Sequence, residues 1–578
     1  MVFFMVKNVA LSTLLFLILA LAYTLTLGGH LYSPDEEIVF RATESLATRG
    51  EFAVEPFVPV HFATRKTLPE RADKREIPQY GIGQPIAAIP FYWVGNALAG
   101  MLPARTWNLL KTNMRAEYPM ENPNASPDEQ ALGVARRFGC SFFNLFVTAF
   151  SGVALFGICR VLCGKALPSF LATLMWGLGS MAWPHARTFF TEPLAGLCLL
   201  LAVWGIAVAL HAEKKRSWLF VLAGMAAGYA CLVRVDSTVF LPALFLLATL
   251  GGWRRAVQEE APQPANDVVE KTSEANSSDF PDVWELGPTP LPEAPVKKDA
   301  PDERLTFAQV ILRAGLFTVP VMLAGAFLLY SNHKYYGSFF ASGYSDQPEG
   351  IKFSTPVLAG LYGFFMSVGK GLFFFSPALI PAIWGIRPML RNCRVFGAGI
   401  LALFVMFLLV MSAWRNWPGG WCWGPRHIMQ IHALLAVPVA FWMVERWDGF
   451  RRIAVTVLLI AGAGVQVFGC SQNFIEYYRI YFTDPRGQLT HPLYDVTTEQ
   501  TPMRMFAIYP RDPATGKAIL PQDKETGELI LTGGLPPIVL PAPINDSIYI
   551  VQNSQWTRYA EMAQRGLHDF FWLHWIDS

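Results

Sequence analysis

The chain has 578 residues, of which 53% are hydrophobic and only 16% charged, and its mean hydropathy is +0.32. A soluble globular chain carries about 25% charged residues, so this balance excludes an ordinary soluble enzyme. The net charge of +2 gives no bulk attraction to nucleic acid, and the 18 Trp and 43 Phe suit a chain that fills a bilayer core and anchors at its interfaces.

A membrane-crossing helix needs about 20 apolar residues, and about eleven stretches meet that measure. The first, 8–29, follows a single lysine, Lys7, and shows no small-residue cleavage site, so it reads as an uncleaved first helix. A long external loop, 30–134, follows. It opens on Tyr32-Ser33-Pro34-Asp35-Glu36-Glu37, where Ser33 is a suitable N-cap and acids suit a first helical turn. The stretch 79–102 is long enough to span. However, Gly81, Gly83, Pro85 and Pro90 interrupt its helical pattern, and a span there would invert every later loop. It is predicted to be re-entrant or interfacial.

Further spans are predicted at 135–159, 166–184, 192–211, 217–234, 236–252, 308–331, 371–387, 395–413, 427–444 and 452–472. Basic clusters fall in alternate loops: Arg160 and Lys165; Lys214 to Arg216; Arg254 and Arg255; Arg387, Arg391 and Arg394; Arg446, Arg451 and Arg452. The positive-inside trend makes these cytoplasmic, with the N-terminus inside and the C-terminal tail outside. Residues 253–305 are rich in Pro, Glu, Asp, Ala and Ser and hold too little apolar surface to fold. They are expected to form a disordered cytoplasmic linker between membrane halves 1–252 and 306–474. The external tail, 475–578, carries turn signals such as Asp512-Pro513 and Gly533-Gly534. It also has Leu/Ile/Val runs near 528–551 that suggest strand, and an amphipathic end, 556–578, that suggests a helix returning to the membrane surface. The predicted class is an all-α polytopic membrane protein with a small mixed α/β tail.

Seven of the eight cysteines lie in or beside apolar segments, and Cys422 reads as lying in an exposed turn. Neither a disulfide framework nor a zinc spacing results. On the predicted outer face gather Arg187, Glu192, Arg234, Asp236, Lys334, Lys370, Arg415, Arg426 and His427. Singly, such residues often snorkel to the interface. Together they predict a cationic cavity with two acid sites, Asp35/Glu36 and Glu192, because charge near membrane depth is costly and marks a site. Arg grips phosphate with a planar fork, whereas Lys acts as a point charge. His185 and Arg187 lie beside Glu192 and are further candidates. Asp346 and Glu349 read as loop solvation. His61, Arg65, Lys66 and Glu70 could contact an acceptor or form a plain polar loop, and Asn124-Ala125-Ser126 matches a glycosylation acceptor.

Several motifs share an order and a side of the membrane. They are the acid pair after the first span, Tyr80-Gly-Ile-Gly-Gln-Pro85, Arg136-Arg137, Trp183-Pro184 leading to Thr191-Glu192-Pro193, Gly369-Lys-Gly-Leu-Phe-Phe-Phe-Ser-Pro377 and Trp417-Pro-Gly-Gly-Trp-Cys-Trp-Gly-Pro-Arg426. In these the chain resembles the GT-C class of integral-membrane glycosyltransferases, in particular the bacterial protein O-mannosyltransferase and aminoarabinose transferase group. The resemblance runs to about residue 474.

It implies a polyprenyl-phosphate-linked sugar donor, a lipid, glycan or protein acceptor, and an inner-membrane location. Asp35 would be the acid/base, with Glu36 and Glu192 positioning the acceptor or holding a divalent metal; no other cofactor is implied. Arg187, Arg234, Lys370, Arg415, Arg426 and His427 would meet the lipid phosphate, although Lys370 stands where an Arg is expected in such relatives. The alternative from another class is a transporter or flippase of an anionic lipid-linked saccharide. The chain shows neither an internal repeat nor the paired broken helices common in transporters.

Overall fold

The computed structural model describes residues 2–55, 64–65, 73, 75–113, 125–211, 216–251, 306–345, 353–420, 422–475, 477, 546–549, 551–564 and 567–576. Residues 253–305, Asp346, Glu349, His61, Lys66, Glu70, Asn124 and most of the tail lie outside these residues; of the strand expected near 528–551 the described end is instead helical, at Asp546–Tyr549 and Val551–Asn553.

Helix α1 (Val2–Leu25) is followed by the amphipathic α2 (Pro34–Arg49). Ser33 and Glu36 form a capping box at the start of α2, Pro34 occupies its first turn, and Gly50 ends it with φ 69°. A short hairpin, β1 (Thr64–Arg65) with β2 (Ile77–Pro78), is antiparallel, pairing Thr64 with Pro78 and Arg65 with Ile77. Next come α3 (Gly83–Ala99), α4 (Ala104–Asn113), α5 (Pro127–Ser141), α6 (Phe143–Cys163), α7 (Ala166–Gly179), the single-turn α8 (Ala182–Ala186), α9 (Glu192–His211), α10 (Trp218–Val233) and α11 (Leu241–Leu250). The second half holds α12 (Phe307–Tyr336), α13 (Val357–Met366), α14 (Leu372–Phe375), α15 (Ala382–Asn392), α16 (Arg394–Ala413), α17 (Met429–His432), α18 (Ala436–Glu445) and α19 (Gly449–Cys470).

Among the described residues, six helical stretches are long and apolar enough to cross a membrane: Pro127–Cys163, Glu192–His211, Phe307–Tyr336, Arg394–Ala413, Arg426–Glu445 and Gly449–Cys470. Shorter apolar helices accompany them, among them Val9–Leu25, Ala166–Gly179 and Trp218–Val233. The chain is a multi-pass, essentially all-helical membrane protein. The main core is shared by α6, α7, α9, α16 and α18, through residues such as Leu155, Trp176, Val203, Phe407 and Phe441. Its centre is the stretch Arg426–Glu445, 89% of whose apolar window is buried, whereas α12 is only 6% buried and packs on the outside of α10. The exposed Ile311, Val319, Met322, Leu323 and Phe327 of α12 are suited to face lipid.

Several predicted spans are divided: 166–184 parts at Ser180 into α7 and α8, and 236–252 becomes a 3₁₀ turn, Val235–Phe240, followed by α11. The span expected at 371–387 is broken into α14, a 3₁₀ turn Pro377–Leu379 and α15. Pro377 and Pro381 supply no backbone N–H, and Ser376 leaves the helical region at φ −145°, ψ 56°. The apolar helix α13 just before it was not anticipated. Its ten residues fall well short of the length that marks a span. The 79–102 stretch, which follows β2, turns through residues 79–82 and then forms one 17-residue helix, α3, packed on α5 and α2. Gly95 and Gly139 allow that packing, since a Cβ on Gly139 would stand 2.6 Å from the Gly95 backbone.

Candidate active site

The helix ends of the structure meet in one cluster. Asp35 is the second residue of α2, Glu192 the first of α9, and Arg234 caps the end of α10. Asp236 lies in the 3₁₀ turn Val235–Phe240 that leads into α11, and Arg426 and His427 lie in the turn Arg426–Ile428 that leads into α17. Acids suit the two helix N-termini because unsatisfied N–H groups gather there.

The Asp35 carboxylate accepts on Oδ2 from both terminal nitrogens of Arg426, at 3.0 and 3.1 Å, and on Oδ1 from the Tyr80 hydroxyl at 2.6 Å. Glu192 Oε1 accepts from Arg234 Nη1 at 2.8 Å. Arg426 Nε at 3.5 Å and His427 Nδ1 at 3.7 Å face the same oxygen as charge contacts too loose to be good hydrogen bonds. Arg234 also forks onto Asp236, with Nη2–Oδ2 at 2.7 Å, and donates to the Thr191 hydroxyl at 3.0 Å. Gln430 Nε2 reaches Asp236 at 3.2 Å. Arg426 lies over the Phe190 ring, 4.2 Å from its centre.

This corrects one expectation. Asp35, Glu192 and Asp236 face two guanidiniums, Arg234 and Arg426, so the cluster is an ion-pair network and not a cationic cavity. Arg426 Nε and both ring nitrogens of the buried His427 lack a hydrogen-bond partner among the described residues, with only the loose Glu192 contacts beside them. Of the acids, Asp35 is 24% exposed at its side chain and Glu192 only 2%, so Asp35 is far the more reachable of the two. No group of three or more His, Cys, Asp or Glu among the described residues is arranged to hold a metal ion.

Glu36 points away from this cluster. Its Oε2 accepts from Ser33 N at 2.9 Å and from Tyr32 N, and its Oε1 accepts from Phe189 N at 2.8 Å. Burial lifts its carboxyl from 4.5 to about 7, and the three N–H donors hold it back from rising further. The carboxyl therefore ties the start of α2 to the run 188–190 that precedes α9. Gln84 and Asn144 brace the same run by donating to the carbonyls of Phe189, Thr188 and Phe190.

Lys370 and Arg187 also lie elsewhere. The Lys370 ammonium donates to the carbonyls of Gly420, Cys422 and Gly424 at 3.1, 2.9 and 3.1 Å, so its hydrogens are spent on organising the 419–424 loop rather than offered to a phosphate. Gly419, Gly420 and Gly424 take positive φ there, which lets three carbonyls converge on one cation. Cys422 is fully buried beside Lys370, not exposed. Arg187 joins a separate buried network with Tyr32 and Asp569. His185 donates from Nε2 to the Trp423 carbonyl, 3.0 Å away, and Arg415 is half-buried in the turn after α16.

Sequence reasoning placed Asp236 on the outer face without giving it a role, and did not single out Tyr80, Thr191, Phe190 or Gln430 as site residues. The signals were present for two: Tyr80 opens the Tyr-Gly-Ile-Gly motif, and Asp236 stands two residues from Arg234. Gln430 carried no signal, since one polar residue in an apolar helix is common.

No protein-family model matches the chain, and no curated protein matches it. Among solved structures, it is similar to ArnT from Cupriavidus metallidurans bound to undecaprenyl phosphate, at 13% identity and a TM-score of 0.44, over 81% of this chain and 68% of that one. It is also similar to the oligosaccharyltransferase AglB from Archaeoglobus fulgidus, solved with an inhibitory peptide and a dolichol-phosphate. There the identity is 10% and the TM-score 0.42, over 79% of this chain and 55% of that one. A further Archaeoglobus fulgidus oligosaccharyltransferase structure, with Zn and sulfate, gives 12% identity and 0.39, over 79% and 53%. The chain thus spans about half the length of the archaeal proteins. Scores this low carry no weight for the chemistry, which the site's own geometry has to decide.

Proposed function

We propose that the chain is an integral-membrane glycosyltransferase of the inner membrane that moves a sugar from a polyprenyl-phosphate carrier to an acceptor on the outer side, with inversion, and that Asp35 is its base. The observation that carries this reading is the Asp35–Arg426 pair: a reachable carboxylate held two-pronged by a buried arginine, with uncommitted donors on Arg426 Nε and His427 beside it.

The pair gives a working sequence. An incoming lipid phosphate is drawn to Arg426 Nε and His427 and competes with Asp35 for the guanidinium fork. As the fork turns to phosphate, the Asp35 oxygens become available to the acceptor hydroxyl. The acceptor oxygen then bonds to the anomeric carbon while the bond from that carbon to the phosphate oxygen breaks. The acceptor's proton passes to Asp35, and the electron pair leaves with the polyprenyl phosphate, whose added charge the arginine stabilises. Glu192, too buried to meet a bulky acceptor, aligns Arg234 and Arg426. Glu36 positions the segment that carries Asp35 and does not touch substrate.

The rival is a flippase of an anionic lipid-linked saccharide, which makes no glycosidic bond. Purified protein mixed with a polyprenyl-phosphate sugar and candidate acceptors separates the two. The expected result is free polyprenyl phosphate released in step with glycosylated acceptor. Movement of the intact donor across a vesicle bilayer, with no phosphate released for any donor, would hand the chain to the transport class.

A further inference from the structure

We infer that Asp569, near the end of the chain, is a positioning residue that fixes the two acid-bearing segments of the site, 28–36 and 185–192, against each other. This rests on reading Asp35 and Glu192 as site acids. His30 lies five residues before Asp35, and Arg187 lies five residues before Glu192. One carboxylate binds both. Asp569 Oδ1 pairs with His30 Nε2 at 2.8 Å, Oδ2 accepts from Arg187 Nη2, and the Asp569 backbone carbonyl accepts from the same nitrogen at 2.9 Å. Arg187 in turn donates from Nε to the Tyr32 hydroxyl at 2.7 Å. All four residues are buried, at 3% exposure or less.

The chain end is brought in by its own contacts and not by the aspartate alone. Phe571 N donates to the Leu27 carbonyl at 2.9 Å, Trp572 Nε1 to the Leu25 carbonyl at 2.8 Å, and Gln472 Nε2 to the Leu567 carbonyl at 2.8 Å. The bridge also continues toward the site. Tyr32 stacks on Phe474 at 4.8 Å, Phe474 on Phe190 at 6.2 Å, and Arg426 covers the other partner of that stack, Phe190. A carboxylate facing a buried arginine and a histidine from two different segments is costly to remove from one side only, because the remaining charge is left uncompensated. A catalytic distance that depends on this bridge is sensitive to shifts of about 1 Å.

The test uses the full-length protein in detergent, with Asp569→Asn, Asp569→Glu and His30→Ala. Hydrogen exchange is read on peptides covering 28–38 and 185–195, alongside turnover and donor KM. Asp569→Asn is expected to raise exchange in both peptides and to lower kcat by about 10- to 100-fold with little change in donor KM, while Asp569→Glu restores part of both. His30→Ala, which removes one arm only, is expected to raise exchange in 28–38 and spare 185–195, and it serves alone if Asp569→Asn does not fold. Wild-type exchange in both peptides of Asp569→Asn, or loosening confined to 567–576, would reduce Asp569 to an anchor of the chain end and overturn the inference. Loosened peptides in a protein whose wild type shows no glycosyl transfer would uphold the bridge and remove the glycosyltransferase reading instead.

Discussion

Asp35 and Glu36 are neighbours with opposite surroundings: one faces an arginine fork and a tyrosine hydroxyl, the other three backbone N–H groups. Because burial holds the Glu36 carboxyl near 7 against 4.5, the folded state binds that proton more tightly than the unfolded chain does. The stability this contributes is fully present below about 4.5 and is lost as pH rises through about 7, an effect on the order of 3 kcal/mol. Thermal unfolding followed from about pH 4.5 to 8 should therefore show a falling midpoint, and Glu36→Gln, which cannot titrate, should flatten that slope. An equal slope in the variant would assign the pH dependence to other groups.

Lys370 gives a second test at this scale. Lys370→Met leaves the carbonyls of Gly420, Cys422 and Gly424 without their donor, so it should lower stability by about 2–4 kcal/mol. In the surviving folded fraction donor KM should barely change, which a phosphate ligand could not allow. That the sequence misplaces Lys370 and Arg187 has a physical reason. Charge near membrane depth announces that a partner exists but not which, and here the partners are backbone carbonyls around residue 422 and an aspartate 382 positions away. Asp35, Glu192, Arg234 and Arg426 were legible as a group because the predicted topology put all four helix ends on one face of the membrane.

At the scale of elements, helices supply the site's precision by ending at it. The packing of α3 on α5 sets where Tyr80, just upstream of α3, meets Asp35, and that packing depends on Gly95 facing Gly139. Gly139→Val should force the helices apart, costing about 1–3 kcal/mol in thermal unfolding and reducing turnover as the Tyr80–Asp35 contact lengthens. Unchanged stability would mean that α3 shifts freely and does not fix Tyr80.

Apolar length made the long helices readable, since a run such as 394–413 has few alternatives to a buried or lipid-facing helix. It failed at 371–387, where hydrophobicity is continuous but Pro377 and Pro381 divide the backbone, and at α13, which is too short to register. Proline spacing inside the apolar run was the signal that a length count overlooked.

Across the whole molecule, the site takes residues from both sides of the stretch 253–305: Asp35, Glu192, Arg234 and Asp236 from before it, Arg426 and His427 from after it. Neither half holds a complete acid–arginine network, so the two should not work apart. The proposed orientation puts this seam on the outer face. Reporter fusions near residues 60, 345 and 520 should read outside and one near 280 inside. A cytoplasmic signal at 60 would place Asp35 on the wrong side for a donor presented at the outer leaflet.

The most direct measurement is turnover by Asp35→Asn beside wild type, with donor binding measured on the same preparations. The substitution keeps size and most hydrogen bonding but removes the charge that accepts a proton. If Asp35 is the base, polyprenyl phosphate release falls by about 10²-fold or more while the donor still binds, because the lost interaction matters mainly in the transition state. Wild-type release from Asp35→Asn would contradict the account and move the proton to another group of the network.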